Sequence, residues 1–238
     1  ENDVLPQLRK ATIIIRSYEP KRTDEEIAIL STTNPEELDV KELLFSATLT
    51  DNEITKTSIY NKVVELHNDW RGHNNIACMY LAKDDLNQAM GLLEKAENIG
   101  GGNSDILTNK GIIAARKGQL TKAQKLFDQA KTSEKNQAIL NLRKAEYGKA
   151  ARFFKNGKSH NAALAQLMNG KNNARCNEAT AACYYLNAIA AARSANDNDA
   201  IIHLTKAINA DASYKNEATK DLEFFSLRAN ESFIALTK

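Results

Sequence analysis

The residues able to do chemistry are few and widely spaced. Four histidines, His67, His73, His160 and His203, are the obvious acid–base or metal-ligating candidates. None stands one helical turn from another, and no HExxH pattern occurs, so they read as solvated surface histidines. The three cysteines, Cys78, Cys176 and Cys183, show no CxxC or CxxH spacing. Cys176 and Cys183 are close enough for a local disulfide, but the favoured reading is three buried structural thiols. Gly100-Gly101-Gly102-Asn103-Ser104-Asp105 has the composition of an anion-binding loop. No lysine follows at phosphate-loop spacing and no strand precedes it, so Ser104 or Asp105 is expected simply to cap the next helix. Asp84-Asp85 and Asp197-Asn198-Asp199 offer too few oxygens for calcium. No Ser/His/Asp or Cys/His set emerges. The sequence therefore points to no catalytic residue, no cofactor and no metal, and to a protein that is not an enzyme.

The elements that would position a binding site are clearer. Ala77, Tyr80, Ala89, Leu93 and Ala96 stand at relative positions that Gly111, Ala114, Ala123, Phe127 and Ala130 repeat 34 residues later. The first two positions share one face of a first helix, and the last three share one face of a second. Small residues let two antiparallel helices approach, and Leu93 or Phe127 fills the space between them. Lys83-Asp84-Asp85-Leu86 and Lys117-Gly118-Gln119-Leu120 are the turns, with Gly118 suited to a left-handed C-cap.

This period and residue pattern resemble the tetratricopeptide repeat (TPR) family. The resemblance implies an all-α fold, a TPR-like right-handed solenoid of helical hairpins forming an α-α superhelix. Further units follow the same register with damage. Ala47, Ile59, Val63 and Leu66 form a degenerate first repeat, in which Ile54 is also expected to face inward. Ala150 and Phe154 match Ala123 and Phe127 after a period shortened to 27. A unit with Ala162, Ala163, Leu164, Leu167 and Met168 inward has a short second helix ending near Cys176. Ala188, Ala191, Ala200, Leu204 and Ala207 form a well-made last repeat. The expected repeats are about 39–68, 73–99, 104–132, 136–156, 159–177 and 178–212, closed by a capping helix over 214–237 with a polar outer face. Together they make a helical domain over 23–238.

Residues 1–22 differ. Ala11-Thr12-Ile13-Ile14-Ile15-Arg16 is a strand signal, expected as an extended arm or as the last strand of an upstream domain. From Thr23 the helices begin, with Thr23-Asp24-Glu25-Glu26 as a capping box, Asn34-Pro35 as another helix start and Asp39 and Asn52 as further caps. Trp70 reads as an apolar plug in a connector. Because the chain begins at Glu1, it is expected to be processed or cut from something longer.

Composition excludes little else. The 238 residues are 42% hydrophobic and 26% charged, with three prolines and ten glycines, which favours helices over an all-β fold. A net charge of +2 gives no general preference for nucleic acid, and no apolar run reaches the roughly 18–20 residues of a membrane span. TPR arrays bind proteins or peptides along a groove lined by their first helices. By resemblance, the concave-face positions are Asn74, Cys78 and Leu81, then Thr108, Ile112 and Arg116, then Tyr185, Ile189 and Arg193. Arg116 and Arg193 occupy equivalent places and can hold a carboxylate, or cap their own helices and stay solvated. Asn74 and Cys78 depart from the lysine–asparagine clamp of chaperone-binding TPRs, so that function is not carried over. The strand, the capped segment and the degenerate repeats together look like the C-terminal region of bacterial OmpA-like envelope surface proteins. That likeness implies an extracytoplasmic scaffold, periplasmic or associated with the outer membrane, with a protein or peptide partner, no nucleic acid and no direct membrane insertion. A structural spacer without a ligand, a peptide-binding adaptor and a cytoplasmic location are the alternatives.

Overall fold

The computed structural model describes residues 22–155 and 157–238. The strand expected within residues 1–22 lies almost wholly outside them. The described residues are helical, with no strand among them. The chain divides into two compact units, one ending at Ile76 and one beginning at Ala77.

In the first unit, α1 (Asp24–Thr33) and α2 (Val40–Ser46) each begin with a complete capping box, Thr23 with Glu26 and Asp39 with Glu42. Each box satisfies orphan N–H groups at a helix start. Asn34 makes no side-chain cap, and Pro35–Glu37 forms one 3-10 turn instead of a helix. α3 (Glu53–His67) is capped by Asn52. Ile27, Leu38, Leu43, Ala47, Ile59 and Val63 form the core. Two residues of this unit expected inward are not, Ile54 at 83% exposed and Leu66 at 42%, and in the second unit the same holds for Met168. Ile54 sits in the first turn of α3. α4 (Trp70–Ala82) follows, with Trp70 half-buried as its first residue.

In the second unit, α5 (Leu86–Gly100), α6 (Ser104–Arg116) and α7 (Leu120–Ala130) carry the two clean repeats. Ala77, Ala89, Leu93, Ala96, Ala114, Ala123 and Phe127 are all essentially inaccessible. A Cβ added at Gly111 would collide with the ring of Phe127, so the absence of a side chain there is what admits the large residue. The glycine-rich loop ends in Asn103, whose side chain accepts from the Asp105 amide and caps α6, while the Ser104 hydroxyl donates to the Ala130 carbonyl at 2.7 Å. α8 (Glu134–Arg143) and the seven-residue α9 (Tyr147–Phe153) form the shortened unit, and α10 (His160–Met168) follows.

One turn recurs. The amides of Asp85, Gln119, Glu146, Lys171 and Asn196 each donate to the carbonyl five residues back, on Tyr80, Ala114, Asn141, Gln166 and Ala191. The residue before each donor is left-handed: Asp84, Gly118, Ala145, Gly170 and Ala195. This is the Schellman closure of a helix, and it marks the end of every first helix in this unit. Only two of the five positions are glycine.

After α10 the pattern fails. No second helix forms, and residues 171–180 are irregular. Cys176 and Cys183 are joined by a disulfide, with Cα atoms 5.4 Å apart, which corrects the reading of three free thiols. Asn187 holds the same loop: it accepts from the Cys176 amide at 2.8 Å and donates to the Cys176 carbonyl at 2.9 Å. A buried side chain amide thus supplies the backbone pairing a helix would have made. Cys78, also expected buried, is exposed.

α11 (Ala181–Arg193) and α12 (Asp197–Ala210) form the last hairpin. The C-terminal segment is broken, not one capping helix. It comprises α13 (Ser213–Lys220), a 3-10 segment (Leu222–Leu227) and α14 (Glu231–Thr237), with Asp221 and Asn230 capping the second and third pieces. Phe224, Leu227 and Phe233 close over Tyr185, Ala188 and Leu204.

Candidate functional site

Three first helices in the second unit end on arginine: Arg116 on α6, Arg143 on α8 and Arg193 on α11. Each stands seven residues before the small residue that opens its second helix, Ala123, Ala150 or Ala200. Two of the three are tied down in the same way. Arg116 donates to the Leu81 carbonyl at 2.5 Å and pairs with Asp84 at 3.1 Å. Arg193 donates to the Leu167 carbonyl at 3.0 Å and grips both carboxylate oxygens of Glu223. Leu81 and Leu167 lie in the last turns of α4 and α10, where main-chain oxygens have no helical partner. Each arginine therefore closes the end of the preceding first helix, and does not cap its own.

Arg143 differs. It is exposed, and makes no hydrogen bond or ion pair among the described residues. It stands at the rim of a cleft of about 250 Å³ between α6 and α8. Ile112 and Ala115 of α6 line one side and Ile139 and Leu140 of α8 the other, with the buried Phe127 ring behind them. Asn136 adds an amide at one end, and Arg116 borders the cleft with its remaining guanidinium surface. An apolar slot between two first helices with a free cation at its mouth can take a large apolar side chain beside a carboxylate.

The other sequence-derived positions are occupied from within. Tyr185 is buried, and its hydroxyl donates to Asp221 at 2.9 Å. Burial first, and then the Asp221 carboxylate, push the phenol far above its ordinary pKa, so it remains a donor. Its ring packs on Tyr214 and Phe224. Tyr185 and Arg193 thus face the chain's own C-terminal segment. Thr108 is bonded to the Thr132 hydroxyl at 3.1 Å. Asn74 is buried at the end of the first unit. Ile112 is brought to the cleft; Cys78 bonds instead to the Asn109 amide at 3.3 Å, and chiefly desolvation holds its thiol protonated.

Two histidines depart from the solvated reading. His67 Nε2 lies 3.1 Å from the Leu38 carbonyl. His203 Nδ1 is buried without a hydrogen-bond partner among the described residues, and desolvation lowers its pKa. Cys176, Glu178 and Cys183 bring ligand-type atoms together, but with the two sulfurs bonded to each other neither is a thiolate free to coordinate a metal.

Two solved structures share this arrangement of hairpins. A tetratricopeptide repeat protein from Parabacteroides merdae is 16% identical, with a TM-score of 0.54 over 83% of this chain and 91% of its own. PilF of Pseudomonas aeruginosa is 14% identical, with a TM-score of 0.53 over 87% of this chain and 99% of its own. The fold is of the tetratricopeptide-repeat type. No family model and no curated protein matches the sequence. Arg143 and Ile139 were not among the positions read from the sequence. The register of Arg116 and Arg193 would have found Arg143, since Ala150 was already aligned with Ala123.

Proposed function

We propose that this chain is a non-catalytic protein-interaction scaffold that takes a peptide segment of a partner into the cleft between α6 and α8. The observation that carries the reading is the contrast within one register. Arg116 and Arg193 are spent on main-chain oxygens, while Arg143 stands unpaired beside an apolar slot. The slot selects a large aliphatic or aromatic side chain, and Arg143 selects an adjacent carboxylate, from an acidic residue or a chain terminus. A cell-envelope setting fits the Cys176–Cys183 disulfide, which persists in oxidising compartments. No helix among the described residues is long and apolar enough to cross a membrane.

The test is selection from a displayed random-peptide library against the intact chain. Selected peptides should pair one large apolar residue with a carboxylate. Their binding should be lost on Arg143→Glu or on Ile112→Glu. Selected peptides that bind both variants as well as the parent would overturn the groove assignment. A second reading is a structural spacer with no ligand, favoured by the C-terminal segment lying on Tyr185 and Arg193. A library that yields no binder supports it.

A further inference from the structure

A second feature lies outside this cleft. From Tyr147 to Asn177 the chain carries Lys149, Arg152, Lys155, Lys158, Lys171 and Arg175, and no Asp or Glu. Residues 106–127 are also free of acids, with five cations, but there Lys110 pairs with Glu97 and Arg116 with Asp84; the net charge of the whole is only +2. Apart from Lys149, which pairs with Glu146, none of these cations has a carboxylate partner among the described residues. A solvated face ordinarily mixes signs, because like charges brought together without a counter-charge repel.

The cations border two open clefts. Lys155, Lys158, Lys171 and Arg175 line one of about 430 Å³. Arg152 and Lys155 line the other, of about 550 Å³, together with Asn169. Lys155 lines both, so the two clefts adjoin at its side chain, and together they are called the track. The walls are built in advance. Gln166, buried on α10, donates to the Phe154 carbonyl at 2.8 Å and to the Gly157 carbonyl at 3.3 Å, and accepts from the Lys171 ammonium at 3.1 Å. The Asn177 amide donates to the Lys158 carbonyl at 2.9 Å, pinning the loop after α10 to the turn before it. The disulfide ties the same loop to α11.

We propose that this track is a docking site for an extended acidic peptide segment of a partner protein. Charge complementarity requires a polyanion, and five cations spread over two adjoining clefts favour an elongated one over a single phosphate. Single-stranded nucleic acid is disfavoured because no aromatic ring lines either cleft to stack a base. A bilayer surface is disfavoured because a planar sheet of headgroups cannot enter a concave track. The proposal does not depend on the α6–α8 cleft.

The experiment measures fluorescence anisotropy of a labelled (Asp-Glu-Gly)4 peptide, with (Asn-Gln-Gly)4 as control, on the intact chain. The acidic peptide should bind and the neutral one should not, with affinity falling as salt rises from about 50 to 200 mM. Lys155→Gln/Lys171→Gln should weaken binding about tenfold, whereas Lys122→Gln/Lys125→Gln, which removes the same charge elsewhere, should change it less than about twofold. Arg143→Glu should likewise change it less than about twofold. If the first double variant fails to fold, Arg152→Gln/Lys158→Gln replaces it with the same expectation. No binding of the acidic peptide at low salt overturns the proposal. So does equal weakening by the control pair, tighter binding of oligo-dT or phosphatidylserine vesicles than of the peptide, or self-association of the chain that the track variants abolish.

Discussion

Arg193 at the end of α11 donates to the main-chain oxygen of Leu167 at the end of α10, at 3.0 Å. The contact joins two first helices across the place where a second helix is missing. Glu223 holds the guanidinium from its other side, so the C-terminal segment, α11 and α10 meet at one side chain.

Glu223→Gln should therefore destabilise the protein by about 1–3 kcal/mol, the range for a hydrogen bond to a charged partner. The Arg193 guanidinium lowers the Glu223 pKa. The contribution is fully present above the ordinary carboxylate pKa and is lost as pH falls through the lowered native value. Thermal melts of the parent between pH 6 and pH 3 should show this acid loss, and the variant should show less of it. Identical acid slopes would contradict the pairing.

Ala195→Gly should stabilise the chain. Ala195 is left-handed at φ 54°, in the position where Gly118 and Gly170 relieve the same turn. The Cβ penalty in this region is about 1 kcal/mol, partly offset by the greater freedom of glycine when unfolded. A rise in Tm of a few degrees is expected. A fall would mean that the turn energetics are decided elsewhere.

Gly111→Ala should cost about 1–3 kcal/mol, because its methyl would meet the Phe127 ring within a packed hairpin. Adding Phe127→Leu should recover part of the loss. Chemical denaturation of the two single variants and the double variant measures the coupling, and strict additivity would rule out the contact.

Reduction should loosen the loop after α10. The Cys176–Cys183 bond closes a short ring, which on the chain-entropy account stabilises by about 2 kcal/mol. Cys176→Ala/Cys183→Ala should lower Tm and make it insensitive to dithiothreitol. A parent protein whose melt does not respond to reductant would count against the bond.

Much of the hairpin framework is legible in the residues. The 34-residue spacing of alanines with Leu93 and Phe127 specifies two antiparallel helices, since only small residues permit that approach. The caps at Thr23, Asp39 and Asn52 are local hydrogen bonds between neighbours in sequence, and local chemistry is what a sequence displays. Ile54 and Leu66 were misassigned because periodicity gives a face but not whether anything covers it. The C-terminal segment breaks at Asp221 and Asn230, both good capping residues that the apolar pattern alone does not reveal.

The candidate site was less legible. The sequence by itself determined that Arg116 and Arg193 share one register and that the repeat is TPR-like; Arg143 stands in the same register, unread until the structure showed it free. Only the tertiary structure decided which arginine is free. Whether a guanidinium is available depends on whether a carbonyl such as Leu81 or Leu167, or a carboxylate such as Glu223, has been folded to within about 3 Å of it. Those partners lie 26 to 35 residues away in the chain, and no local pattern encodes such a meeting.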